Sequence, residues 1–283
     1  MPSSVCRAAL ALATSAVLLS PASLAAQGAQ RVYVVLADSV PMTVSAASTA
    51  IAESLKGQGW TILATHTVGV DATRCSYAAR VVVARQAPHT AAVMAKGALG
   101  AFAVPVRIGV FEDERGVHVS MVNPLSVERT MVAESGLEAS GRAMVEEVAG
   151  LVVAATRGRK ANRSYGQSRD RGLIGKTMGV MAGGPFAGQL ETITSVAGST
   201  PADVRRLADG IWQRLQQPPK GKWQLHGIYR IDLDDQGVVI LGVSGAAMET
   251  KAFAIVGAGD DDTLEPTSSA RAWPMPRRSR WSW

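Results

Sequence analysis

The chain has 283 residues, 47% of them hydrophobic and 18% charged, with 29 Lys plus Arg against 23 Asp plus Glu. That length and apolar content suffice for one large or two small packed domains, and they exclude wholesale disorder and a multi-span membrane protein. Two cysteines exclude a disulfide-rich scaffold and a four-cysteine zinc site. Arg157, Arg159, Lys160, Arg163, Arg169 and Arg171 against Asp170 give residues 157–171 a charge of +5, and four Arg give residues 271–283 a charge of +4. Taking these and Arg7 from the total of +6 leaves the rest of the chain at −4, so no nucleic-acid-binding face is expected on the folded bodies.

The N-terminus reads as an export signal. Arg7 supplies the positive start, Ala8–Leu19 is apolar, Pro21 breaks the run, and Ser23-Leu24-Ala25 is a small-x-small cleavage pattern. Residues 1–25 are therefore expected to be removed, placing the protein in the periplasm or outside the cell; the other reading is an uncut N-terminal anchor. No later stretch reaches the roughly 18 apolar residues of a membrane span. Export leaves Cys75 as the lone thiol, expected to be small and buried rather than reactive or metal-binding.

Arg31–Ala37 (RVYVVLA) reads as a strand, and Val44, Ala47, Ile51 and Leu55 repeat at helical spacing within Thr43–Lys56. Gly57 and Gly59 end that helix, Trp60–Val68 is extended, and Tyr77–Arg85 is a further strand. Pro88 opens a short helix through Lys96. Val104–Glu112 and Val117–Val122 form a hairpin, and Leu137–Ala155 carries an apolar helical stripe. The order β-α-β-β-α-β-β-α predicts an α+β fold over residues 31–156, a two-layer sandwich with a mostly antiparallel sheet and helices on one face.

Residues 157–188, basic then Gly-rich, lack apolar periodicity and read as an exposed linker. A second, smaller α+β module is expected over residues 189–259. Its elements are a strand at Gln189–Val196, a helix capped by Thr200 with Pro201 at its first position, and two strands, one running through Ile231 and one at Gly237–Ser244. Val204, Leu207, Ile211 and Leu215 share one face of that helix. Gly57-Gln58-Gly59-Trp60 and Gly221-Lys222-Trp223 occupy like places in the two modules, which suits either a shortened duplicate or a chance recurrence of a common order. Residues 260–283 are acidic, then rich in Arg, Trp and Pro, and read as a disordered tail; the alternative is a basic-aromatic contact with anionic lipid or a partner.

One phrase of the first module has a family likeness. Tyr77–Arg85, Ala87-Pro88, Phe102–Glu112 (FAVPVRIGVFE) and Val119–Pro124 (VSMVNP), in that order, resemble the domain-of-unknown-function 302 family over about residues 43–151. The resemblance implies a compact α+β domain that pairs with a second copy, often exported, with no established reaction. The family often places Cys before the helix-opening Pro or after the strand Pro. Ala87 and Val106 stand there, which puts a thiol-based role in doubt for this chain.

The motifs that suggest chemistry are incomplete. Gly172–Thr177 ends like a phosphate-binding loop, but Asp170 stands where its first Gly belongs. Asp232–Gly237 begins like a calcium loop, but Val243 occupies the position of its bidentate Glu, so a charged hairpin turn is expected; Asp260-Asp261-Asp262 reads as a solvated run. Gly242-Val243-Ser244-Gly245-Ala246 is similar to a nucleophile elbow, yet no His follows it. The four His are scattered without a metal-binding pair. His118 shares a strand face with Ser120 and is expected to be partly exposed. Arg107 falls on the face of Pro105 and Gly109, opposite Glu112, and must be paired if it is buried against helices. Asn123-Pro124 is expected to turn the chain into the next helix.

The leading expectation is an exported, non-catalytic binding or interaction protein for a small ligand, paired as a homodimer through its sheets. Arg107, His118, Ser120 and Asn123 are its candidate ligand contacts, and no cofactor or metal is expected. Two other readings stay open: an enzyme or redox carrier with a site between the modules built from Arg107, His118 and the 257–262 loop, and an envelope-associated protein attached through its Arg/Trp tail or to an envelope protein.

Overall fold

The computed structural model describes residues 29–69, 77–132, 136–170, 200–221, 224–247 and 249. The expected signal segment, Cys75, the Gly-rich stretch, the strand over Gln189–Val196, Trp223, the 257–262 loop and the Arg/Trp tail lie outside these residues. The fold is α+β. Its elements are β1 (Ala29–Val40), α1 (Val44–Gly57), β2 (Thr61–Thr67), β3 (Ala79–Arg85), α2 (Ala87–Met94), a 3-10 helix (Ala98–Ala103), β4 (Val106–Asp113), β5 (Gly116–Val122), α3 (Pro124–Met131), α4 (Glu138–Thr156), β6 (Arg159–Asp170), α5 (Pro201–Leu215), β7 (His226–Leu233) and β8 (Val238–Ser244).

Six strands form one sheet in the order β2-β3-β4-β5-β1-β6, and every neighbouring pair is antiparallel. Strand alternation sends Val82, Ala84, Val106, Ile108, Val110, Val119 and Met121 to one face, where α1 and α4 cover them. On α1 the predicted stripe of Val44, Ala47, Ile51 and Leu55 is the buried one, and the Thr43 hydroxyl caps the helix by accepting from the Ala46 N–H at 3.2 Å. Leu36, Ile51 and Leu55 are fully buried, each stabilising the fold by about 1.5–3 kcal/mol relative to exposure. Gly59, at φ +81°, turns the chain back so that Trp60 seals the end of this core, its indole N–H donating to Glu147 Oε1 at 3.0 Å.

The basic stretch expected as a linker is instead β6. It pairs with β1 along its whole length, with Tyr33 opposite Tyr165, Val34 opposite Ser164 and Val35 opposite Arg163. Edge strands are held by backbone bonds on one side only and tolerate charge on their solvated surface, so no apolar alternation marks them. Arg157, in the left-handed region at φ 56°, turns α4 into this strand. Beside it Gly158 fits tightly, because a Cβ there would lie 2.8 Å from Val40 Cγ2.

The hairpin is followed by two helices rather than one. Asn123 ends β5 and caps the additional helix α3, its Oδ1 accepting from the Leu125 N–H at 3.1 Å, so the expected turn into a helix is present. In the second module, α5 carries the predicted cap: Thr200 accepts from the Asp203 N–H at 3.3 Å while Asp203 accepts from the Thr200 N–H at 3.0 Å, with Pro201 in the first turn. Its packing row differs from the predicted one. Leu207 and Ile211 are 51% and 43% exposed, and Ala208 is the buried residue. Trp212 sets this rotation, since its ring lies over Gly227, where a Cβ would come within 2.5 Å. The β7–β8 hairpin packs against the sheet, joining Tyr229 and Ile231 to Val83, Val93, Met94 and Val104 in a second core. The expected calcium-like segment is the turn between β7 and β8, where Asp232 pairs with Arg230 and Asp234 pairs with Arg205.

Candidate functional site

The four residues singled out from sequence do not form one cluster. Arg107, on β4, is half-buried on the sheet face turned away from α1 and α4, and it donates to the Tyr229 hydroxyl of β7 at 3.1 Å. Its pairing is thus with the second module and not with the helices. Ser120 is buried and accepts from the Tyr165 hydroxyl at 3.1 Å, and Tyr165 stacks on Tyr33 with centroids 4.9 Å apart. Burial raises the Tyr165 phenol above its ordinary range, which keeps it a donor. Asn123 is spent on local structure, capping α3 and donating to the Arg31 carbonyl at 2.9 Å.

His118 departs most from expectation, being 6% exposed rather than partly exposed. The reason is the company it keeps. Asp38 Oδ1 from β1 lies 2.8 Å from Nδ1, Asp113 Oδ1 from the end of β4 lies 2.9 Å from Nε2, and the Phe111 ring covers it at 5.6 Å. Only the imidazolium has an N–H for each of two carboxylate acceptors. Asp38 is gripped from its other side by Arg163 of β6, with Nη1 to Oδ2 at 2.5 Å and Nη2 to Oδ1 at 2.8 Å, the bidentate geometry of the strongest ion pairs. Burial works against ionisation of Asp38, yet the bonds from Arg163 and His118 prevail and hold its carboxyl below the usual range. The result is an alternating row of cation and carboxylate: Arg163, Asp38, His118, Asp113.

Arg163 also lines a groove of about 460 Å³ where α4 meets the β1–β6 pair. Val34, Val145 and Ala149 provide apolar lining, and Arg31 and Lys160 bring positive charge, with Glu146 holding Lys160 at 2.9 Å, while the Arg163 guanidinium stays with Asp38. Of the candidates from sequence, Asn123 alone is in its wall. Asp38, Asp113 and Arg163 were missed by sequence reasoning. The one available signal was Asp38, a lone charge closing an apolar strand; Arg163 was hidden in the stretch read as linker.

Two further polar clusters lie elsewhere. His66 Nε2 is 3.3 Å from Glu249 Oε1, and Ser244 and the Gly69 N–H donate to the same carboxylate. Burial opposes its charge, but these three partners bring the Glu249 carboxyl down to about 2. His89 Nε2 donates to the Ala103 carbonyl at 2.9 Å and turns Nδ1 toward Glu128 Oε1 at 4.0 Å. Burial lowers His89 and pushes Glu128 up to about 7. In chemical terms, Ser120 and Ser244 each bond to a group other than His, and both ring nitrogens of His118 are taken by carboxylates. Among the described residues no three His, Cys, Asp or Glu side chains are grouped to hold a metal ion, and no helix is long and apolar enough to cross a membrane.

Comparison with known proteins places the first module. The family model for domain of unknown function DUF302 matches residues 37–155. This segment is a DUF302 domain. The match agrees with the resemblance seen in the strand and Asn-Pro motifs, and it stops short of β6, which completes the sheet of the DUF302 domain in this chain. A solved structure, an uncharacterized conserved DUF302 protein from Bacillus stearothermophilus, is similar at 16% identity over 44% of this chain and 95% of that one, with a TM-score of 0.37. No curated protein matches the chain.

Proposed function

We propose that this is an exported, non-catalytic binding protein that holds a small ligand in the groove between α4 and the β1–β6 pair. The observation that carries the reading is the groove: at about 460 Å³ it has the size of small-molecule sites, roughly 300–1,000 Å³, and joins apolar lining to a few convergent charged groups. The commitment of His118 to two carboxylates supports binding over general-base chemistry, which needs a ring nitrogen open to substrate. Export rests on the N-terminal segment alone. The test is native mass spectrometry of the protein purified from its exported compartment, beside a Val145→Trp variant that fills the groove. Expected is an added small-molecule mass on the wild type that the variant loses. The same added mass on both proteins, or on neither, overturns the reading.

Association of two copies is a second reading, favoured by β6, a 12-residue strand at the edge of the sheet. Such an edge offers unpaired backbone groups to another strand. Light scattering behind size exclusion should then give twice the chain mass, and a monomer at every concentration would end this idea.

A further inference from the structure

We infer that the outward row of α5 is an interface between two copies of this chain, with the two helices paired antiparallel about a two-fold axis. The inference does not depend on the groove, and its surface is neither the β6 edge nor part of the DUF302 segment. At about 100° per residue, Val204, Leu207, Ile211 and Leu215 fall within one arc of about 80° on α5. The fold does not use this row. Ala208 is the buried residue, the Trp212 ring lies over Gly227, and Arg205 and Asp209 pair with Asp234 and Arg230 of the β7–β8 hairpin. Leu207 and Ile211 are left outside, about one turn apart, as prominent exposed apolar side chains. Apolar residues at this spacing make the kind of seam that a second helix covers.

The charges beside the row decide which helix that is. Asp203 and Arg214 lie on one flank of the row, the flank away from Ala208 and Trp212, with one near each end of α5. A two-fold axis at the midpoint of the row sets Leu207 against the partner's Ile211 and Val204 against the partner's Leu215. It also sets Asp203 against the partner's Arg214, level to within about 3 Å along the helix at 1.5 Å per residue. In an isologous contact each pairing occurs twice, so two ion pairs flank the seam. Asp203 has its side chain 43% exposed, although Arg206 and the Thr200 N–H already bond to it, and Arg214 is exposed. Parallel pairing would instead set Asp203 against Asp203 and Arg214 against Arg214. An anionic lipid surface would meet the Asp203 carboxylate together with the Arg214 guanidinium and gain little from that flank. The second copy is the occupant whose charges match. With 15 residues α5 spans about 22 Å, so the contact is small and the dimer weak.

The test is sedimentation velocity of the full mature chain from about 1 to about 300 μM, a range that brackets a weak interface. Expected is a reversible monomer–dimer equilibrium with Kd on the order of 10 μM. Leu207→Glu puts a charge into the seam, and Arg214→Glu sets carboxylate against carboxylate. Each should raise Kd about tenfold or more, with the circular dichroism spectrum unchanged because both side chains lie outside the packed interior. The order of the helices is read by cross-linking in a Cys75→Ser background. Leu207→Cys mixed with Ile211→Cys should form disulfide-linked pairs faster than either protein alone. Faster linking within either protein alone overturns the antiparallel pairing. A monomer at every concentration overturns the interface, and so does a dimer that Leu207→Glu leaves intact, which would place assembly on another surface such as the β6 edge. Binding of the monomer to phosphatidylglycerol vesicles that is lost in Leu207→Glu overturns it in favour of a lipid surface. None of these outcomes bears on the groove, whose own test is separate.

Discussion

A buried carboxyl without a partner governs how this protein should respond to pH. Glu128 is 3% exposed, and its Oε1 has no hydrogen-bond partner. The neighbouring His89 spends its Nε2–H on the Ala103 carbonyl and turns a bare Nδ1 toward that oxygen. Burial therefore lifts the carboxyl from its ordinary 4.5 to about 7. A folded-state pKa above the unfolded one means that the contribution to stability is fully present below about 4.5 and is lost as pH rises to about 7. The difference amounts to about 3 kcal/mol. Urea unfolding should show the wild type less stable at about pH 8 than at about pH 5 by a margin of this order, and Glu128→Gln, which cannot ionise, should remove most of that margin. An unchanged margin in the variant would show that another group sets the slope. Neither partner could be read as a pair from sequence, because 39 residues and the whole β4–β5 hairpin separate them. The same holds for Asp38 and Arg163, 125 residues apart: each is an ordinary surface residue type until two strands lie side by side.

Among elements, those whose signals are local were legible and those set by distant partners were not. The cap of α5 is contained in Thr200-Pro201-Ala202-Asp203, and the structure forms the reciprocal bonds those residues predict. Thr200→Ala should cost about 1 kcal/mol, measured as a lower urea midpoint. The strand β6 had no such signal, since its only structural demand is a backbone ladder with β1, which any non-proline residue can supply. What the sequence does contain is Gly158, whose role appears only once β6 is folded back. A methyl group there would meet Val40 Cγ2 at 2.8 Å and Ala37 Cβ at 3.0 Å, both anchored on β1. Gly158→Ala should therefore destabilise by about 1–3 kcal/mol through overpacking, despite the usual gain from replacing Gly. Amide exchange in residues 159–165 should accelerate beyond the global loss; a neutral or stabilising substitution would mean that β1 and β6 are not packed this closely. The α5 stripe failed for a related reason. Periodicity identifies an amphipathic helix but not its rotation, and Trp212 over Gly227 sets that rotation from outside the helix.

At the scale of the whole molecule, the expectation of two modules on a flexible linker gives way to two cores that share one sheet. Residues on alternate positions of β3 divide between them: Val82 and Ala84 belong to the core under α1 and α4, while Val83 belongs to the core with Tyr229 and Ile231. Period-two alternation with both faces apolar is the mark of a strand covered on both sides, and Val81-Val82-Val83 shows it in sequence. That signal implied a cover for the second face without saying which part of the chain supplies it. A domain boundary placed between the modules would leave Val81, Val83 and Leu63 without the hairpin that packs on them. The hairpin in turn meets α5 through the Trp212 ring over Gly227, while Leu207 and Ile211 stay outside. Neither part is then expected to unfold by itself. Ile231, 2% exposed, is the clearest probe of this coupling. Ile231→Ala should cost about 2–5 kcal/mol, and the loss should lower one common transition observed both by Trp212 fluorescence, on α5, and by Trp60 fluorescence, in the opposite core. Single-Trp variants would separate the two signals. Two transitions, with only the Trp212 signal moved by Ile231→Ala, would show that the modules fold independently and that the second core is a contact surface rather than a shared interior.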